Sequence, residues 1–160
     1  MPLTVNLRQL DDRNLELRGE LSLAELDFDV NDEMIRATRP LRYDLEVEKL
    51  DDSLLVRGSL RLPLECRCVR CLKDFEFALA LDAWTQYLPL AGEDAVPVKN
   101  DSVDLTPWVR EDILLEFPQH PLCKPDCVGL KKASVGKAPE TAGRDESMPS
   151  TWAELNKLKL

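Results

Sequence analysis

All five cysteines of this sequence fall in two short segments: ECRCVRC carries Cys66, Cys68 and Cys71, and CKPDC carries Cys123 and Cys127. Zinc is held tetrahedrally by four soft ligands, and a pair spaced two or three residues apart can place both sulfurs on one ion from a single turn. The C-x-x-C of Cys68 and Cys71 together with the C-x-x-x-C of Cys123 and Cys127 therefore makes one complete set. A site filled by four protein ligands is structural, because no position is left open for a reacting molecule. Zinc is the expected cofactor, cross-linking an internal segment to a distant one.

Other uses of the sulfurs are weighed against this. Free cysteine is among the most buried residue types, so the four could be small core hydrophobes. A redox pair is the second alternative, but C-x-x-C redox motifs sit at a helix N-terminus, which lowers the thiol pKa, whereas CVRC follows a strand pattern. An odd number of cysteines also argues against a disulfide framework. Cys66 shares its strand face with Leu62 and Leu64 and reads as core, with a spare-ligand role second. His120, the single histidine, could substitute as a zinc ligand, yet its proline-flanked loop reads as surface.

Catalysis finds no footing. There is no glycine-rich phosphate loop and no ordered pairing of nucleophile and base, and carboxylates such as Asp11, Asp12, Asp27, Asp29, Asp51 and Asp52 sit in turn-like stretches. The expectation is a protein that is not an enzyme and has no small-molecule substrate.

The elements that must position the cysteines are legible around them. Leu54, Val56, Gly58, Leu60, Leu62, Leu64, Cys66 and Cys68 alternate with polar residues, the period of a strand with one buried face. Alternation resumes as Phe75, Phe77, Leu79, Leu81 and Ala83, so the two runs form a hairpin with Cys68 and Cys71 at its tip. Leu41, Tyr43, Leu45 and Val47 add an upstream strand, turned by Asp51, Asp52 and Ser53. Short strands are expected at Leu3, Val5 and Leu7 and at Leu15 and Leu17, with Ser22 capping one helical turn. Residues 91–103 read as a loop. It ends at DLTPWVREDILLEFP, a helix with Thr106 as N-cap, Pro107 at the first position, an apolar stripe of Val109, Ile113, Leu114 and Phe117, and Pro118 as its stop. The fold class is α+β: an antiparallel sheet with a helix packed on it, a cysteine-tipped hairpin, and a flexible C-terminal segment ending in a short helix.

A length of 160 residues with 44% hydrophobic composition suits one core, placed at residues 1–130. Residues 131–149 have almost no large apolar side chains and read as a flexible linker. Residues 150–160 read as a short amphipathic helix in which Trp152, Leu155 and Leu158 form one narrow face, with Trp152 and Leu155 as partner contacts. No stretch is long and apolar enough to cross a bilayer, so a soluble, cytoplasmic protein is expected. The formal net charge of −9 disfavours broad nucleic-acid binding and suits a basic partner. Arg57, Arg61, Arg67, Arg70 and Lys73 nevertheless gather near the first cysteines, and Arg61, Arg67, Arg70 and Lys73 are candidates for local RNA or partner contact.

The segments RCVRCLKDFEF, DLTPWVREDILLEFPQHPLCKPDCVGL and the terminal WAELNKLKL resemble the YceD-like proteins, which are linked to accumulation of large-subunit ribosomal RNA in bacteria and plastids. The resemblance places the family's cysteine motif on Cys68, Cys71, Cys123 and Cys127, followed by Gly129 and Leu130, and leaves Cys66 outside it. Many members continue with a further C-x-x-C, where this chain has Lys131 and Ser134. The resemblance implies a factor in assembly of the large ribosomal subunit. Its partner would be a basic large-subunit ribosomal protein, a pre-ribosomal particle or its RNA. A thiol-based redox protein and a metal-free scaffold are the alternatives.

Overall fold

The computed structural model describes residues 2–28 and 32–130. Its central feature is the long hairpin of β5 (Ser53–Arg67) and β6 (Asp74–Pro89), paired antiparallel from Ser53↔Pro89 to Arg67↔Asp74. The alternation of β5 determines its faces: Leu54, Val56, Leu60, Leu62 and Leu64 are completely buried, each side chain contributing about 2 kcal/mol of hydrophobic stabilisation.

One edge of β5 is divided between two strands. β4 (Leu41–Leu50) pairs with the first part, from Leu50↔Ser53 to Arg42↔Arg61, and β3 (Ile35–Ala37) pairs with the part nearer the cysteines, Ala37↔Leu64 to Ile35↔Cys66. β2 (Leu15–Leu21) extends the sheet beyond β4. The turn between β4 and β5 is formed by Asp51 and Asp52, and Ser53 Oγ donates to the Leu50 carbonyl at 3.0 Å.

The regular alternation expected along β6 is interrupted. Register passes from Gly58↔Trp84 to Leu60↔Leu81, so Asp82 and Ala83 oppose the single residue Ser59 in a β-bulge. Two residues against one shift the phase of the strand. Leu79 is buried before the bulge and Trp84 and Leu88 after it, while Ala83, expected on the inner face, is exposed. Gly58 makes the crossing feasible. Its φ is 155°, and a Cβ there would lie 2.1 Å from the Asp44 carbonyl oxygen of β4.

A second, three-stranded sheet orders β1 (Thr4–Asn6), β8 (Ser102–Asp104) and β7 (Val98–Lys99). The loop expected over residues 91–103 therefore contains a small hairpin. Its turn residues Asn100 and Asp101 both adopt left-handed φ, 51° and 57°, which Asn and Asp tolerate better than most residues. Leu7, expected on a strand, instead begins a 3-10 turn over Leu7–Leu10.

Two short helices close the inner face. In α1 (Leu23–Leu26) Ser22 and Glu25 form a reciprocal capping box, as Ser22 suggested. In α2 (Thr106–Leu115) the expected N-cap is displaced: Leu105 occupies that position, and Thr106 is already helical. The Thr106 hydroxyl accepts instead from the Leu3 N–H at 2.9 Å, and the Thr106 N–H donates to Asp104 Oδ1 at 2.9 Å. Tying down the N-terminal strand has taken the hydroxyl that capping would have used. The helix also ends at Leu115, before Pro118 is reached. Val109 and Ile113 point into one continuous core that runs from Leu3, Val5 and Val103 through Leu26 to Leu45, Leu54 and Trp84. Trp84 Nε1 donates to Asp112 Oδ2 at 2.6 Å, fixing α2 against β6.

The architecture is thus α+β, an antiparallel sheet with a helix packed on it. Among the described residues no helix is long and apolar enough to cross a membrane. The expected linker at 131–149 and terminal helix at 150–160 lie outside the described residues.

Gly58→Ala should lower stability by about 3 kcal/mol, because the added Cβ must displace β4 main chain. Chemical denaturation read by tryptophan fluorescence checks this; a loss below roughly 0.5 kcal/mol would contradict the contact.

Candidate metal centre

The tip of the β5–β6 hairpin spans residues 68–73. Cys68 N–H donates to the Lys73 carbonyl and Leu72 N–H to the Cys68 carbonyl, both at 2.9 Å, and Leu72 turns the chain with φ of 59°. These bonds fold Cys71 back over Cys68. The second cysteine segment follows α2 and is fastened to the tip by its main chain. Val69 N–H donates to the Pro121 carbonyl at 2.9 Å, and Arg70 Nη1 donates to the Cys127 carbonyl at 3.0 Å. Cys127 N–H closes its own turn on the Lys124 carbonyl at 3.1 Å. Gly129, at φ 88°, then leads the chain away past the Arg70 carbonyl.

These fastenings bring four sulfurs together. Cys68 and Cys127 Sγ are 3.7 Å apart, Cys71 and Cys123 Sγ are 3.6 Å apart, and all four lie within 4.8 Å of one another. A tetrahedrally held ion with metal–sulfur bonds of about 2.3 Å would set its sulfurs about 3.8 Å apart. A disulfide would need about 2.05 Å, and all five cysteines are free. The donor set is entirely soft thiol, the spacing is that of a coordination tetrahedron, and each segment supplies two ligands. The residues present fit a metal ion. Cys68 and Cys127 are buried while Cys71 and Cys123 are half-buried, so the cluster lies just under the surface.

The thiols are not equivalent. Burial pushes the Cys68 thiol up, but the backbone amides of Cys123, Cys71 and Arg70, aided by the Cys71 side chain, outweigh it and bring the group down to about 6. Cys123 moves the other way, to about 12, through burial and through hydrogen bonds with the Cys71, Cys127 and Cys68 sulfurs. The net lowering at Cys68 favours a thiolate there, the form in which cysteine binds metal.

Cys66 is 2% exposed, set between Ile35 and Phe75 on neighbouring strands and outside the cluster. Its thiol is raised, chiefly by burial and secondarily by the Asp32 carboxylate. His120 is exposed and is not among the grouped ligands.

The basic residues near the tip are mostly engaged. Arg61 pairs with Asp82 at 3.3 Å, Arg67 with Asp74 at 3.0 Å, and Arg57 with Glu46 and Glu48 at 3.5 Å each. Such exposed pairs add little stability, but they offset the local positive charge. Arg70 donates to the Cys127 carbonyl, a neutral group that leaves its charge uncompensated, so Arg70 and Lys73 are both exposed cations of the hairpin tip. Trp152 and Leu155 lie outside the described residues. A collar that sequence reading missed surrounds the cluster: Val69, Leu72, Val128 and Leu130 are 40%, 53%, 92% and 65% exposed. Its only signal was aliphatic residues interleaved with cysteines in loops.

In metal-free protein, thiolate absorbance should show one group ionising near pH 6, lost in Cys68→Ser. Because that group lies below its ordinary 9.0, the stability it lends is complete above pH 9 and lost as pH falls through about 6. Cys123, raised instead, lends stability below pH 9 that is lost as pH rises through about 12. A single transition near the ordinary thiol pKa would show that the amides do not act on Cys68.

Comparison with known proteins gives a consistent set of relatives. The family model described as large ribosomal RNA subunit accumulation protein YceD matches residues 56–159, a stretch that contains both cysteine pairs. The uncharacterized protein Rv2926c of Mycobacterium tuberculosis is 31% identical over 124 residues, 72% of this chain and 60% of the relative. An uncharacterized protein of Mycobacterium leprae, ML1660, is 28% identical over 128 residues, 74% of this chain and 59% of its own length. The uncharacterized protein YlbN of Bacillus subtilis is 26% identical over 161 aligned positions, 95% of this chain and 86% of the relative. The chain thus spans about 60% of the length of the mycobacterial relatives. No solved structure matches.

Proposed function

Because this chain belongs to the YceD family, named for accumulation of the large ribosomal RNA subunit, we propose that it is a non-enzymatic, cytoplasmic factor in biogenesis of the large ribosomal subunit. Its four-cysteine centre would hold one structural zinc. The observation that carries this reading is the convergence of Cys68, Cys71, Cys123 and Cys127 within 4.8 Å, inside the span matched by the family model. With every coordination position taken by sulfur, the ion would contribute folding energy and no reaction chemistry. What it would rigidify is a surface: the hairpin tip with its aliphatic collar, Arg70 and Lys73.

Binding follows from charge and exposure. At −9 overall the chain attracts a basic ribosomal protein more readily than bare phosphate. RNA contact at the tip would begin with Arg70 and Lys73, and with Arg61 and Arg67 only where phosphates displace Asp82 and Asp74. The residues at 150–160, with Trp152 and Leu155, supply a second point of attachment.

Elemental analysis of protein purified without added zinc or chelator should find about one zinc per chain, released by chelation together with loss of structure around the tip. Cys71→Ser should lower zinc occupancy, and affinity purification of the wild type should recover large-subunit components. Absence of metal combined with a labile disulfide would favour the thiol-redox alternative. Recovery of no large-subunit component would end the assembly-factor reading.

A further inference from the structure

Among the described residues β6 is hydrogen-bonded to β5 alone, so its outer edge faces no other strand. A free edge presents unpaired N–H and C=O groups, which sheets normally guard or use for recognition. Beside the bulge of β6 lies a groove of about 400 Å³, lined on one side by residues 80–85 and on the other by Asp112, Leu115 and Glu116. The groove is lined by six successive residues of β6 and by none of β5, so it lies on the side of β6 away from its paired strand.

The groove has a definite chemistry. Leu81, Trp84 and Leu115 give it an apolar lining, and Leu115 is 81% exposed although Val109 and Ile113 of the same helix are fully buried. Asp82, Asp112 and Glu116 make the rim acidic, and none of the lining residues is basic. Asp82 shares its charge with Arg61, and one Asp112 oxygen serves Trp84 and Gln86. The Glu116 carboxylate has no partner among the described residues. Its width is held by the bond from Trp84 to Asp112, so the groove is preformed.

We propose that this edge takes an extended, lysine- or arginine-rich segment of a protein partner. The segment lies main chain to main chain along β6, with aliphatic side chains over Leu115 and cationic ones at Glu116 and Asp82. An acidic rim repels phosphate, which selects a basic protein over RNA at this place. The inference rests on the reading that the chain binds a basic component of the large subunit, and it adds where and in what conformation.

The test uses the full-length chain, a synthetic peptide alternating lysine with valine, and a control peptide alternating glutamate with valine, followed by amide hydrogen exchange. The lysine peptide should slow exchange within residues 80–85. Glu116→Lys should weaken its binding roughly tenfold, while Asp12→Lys, at an exposed bend residue outside the groove lining, should leave it unchanged. No protection, equal protection by the glutamate peptide, or equal weakening by both variants would overturn the site. So would edge amides that are already slow in the free chain and become fast on removal of residues 150–160, since the edge would then be covered in cis. Loss of edge protection with large-subunit recovery intact would overturn this site alone. Edge protection without large-subunit recovery would overturn the reading beneath it.

Discussion

The antiparallel pairing of Ser53–Arg67 with Asp74–Pro89 is the constraint from which the rest of the molecule follows. It carries the inner face on which α1, α2 and the small sheet pack, and it projects Cys68 and Cys71 beyond the last paired residues. Because each side-chain position on a strand has a fixed face, register decides which residues are core and which are surface. The bulge opposite Ser59 is therefore a working part of the fold. Without its phase shift, Trp84 would face solvent, the bond to Asp112 would be lost, and α2 would have no fixed seat from which to deliver the second cysteine pair.

The two cysteine segments are joined twice over. Hydrogen bonds from Val69 to Pro121 and from Arg70 to Cys127 align the main chains, and the four sulfurs then meet at coordination distances. Each bond is of the kind that contributes about 1 kcal/mol net, modest beside the binding of a thiolate-held ion. The main chain thus sets the geometry, and a bound ion would supply the larger energy. The backbone amides of Cys123, Cys71 and Arg70 act in the same direction, since they favour the charged form of the Cys68 sulfur.

Much of this was legible in the residues. Strict alternation from Leu54 to Cys66 identified β5, paired spacing identified the four sulfurs, and Ser22 before LAEL marked α1. What escaped depended on partners distant in sequence. The inner face of β6 changes at Asp82 and Ala83 because of a residue on another strand, and nothing local in DFEFALALDAW signals it. Thr106 reads as a cap in isolation, but Leu3, far away along the chain, takes its hydroxyl. β3 and β7 are too short for periodicity to reveal, and exist because longer neighbours offer them an edge. The arginines near the tip looked like a basic patch until the strands placed a carboxylate beside each of Arg57, Arg61 and Arg67.

The sulfur pairs that meet in the centre are separated by 52 and 59 residues of chain. Closing loops of that length costs about 3.5 kcal/mol of chain entropy before any constant term, and the intervening residues include β6, the small hairpin and α2. The ligands can meet in their final geometry only after those elements have found their places. In the proposed zinc-bound form, acquisition of the ion would thus be a late step in maturation of the chain, and occupancy would record that the domain has been completed. During synthesis, the hairpin tip waits with two thiols ready until the final pair emerges.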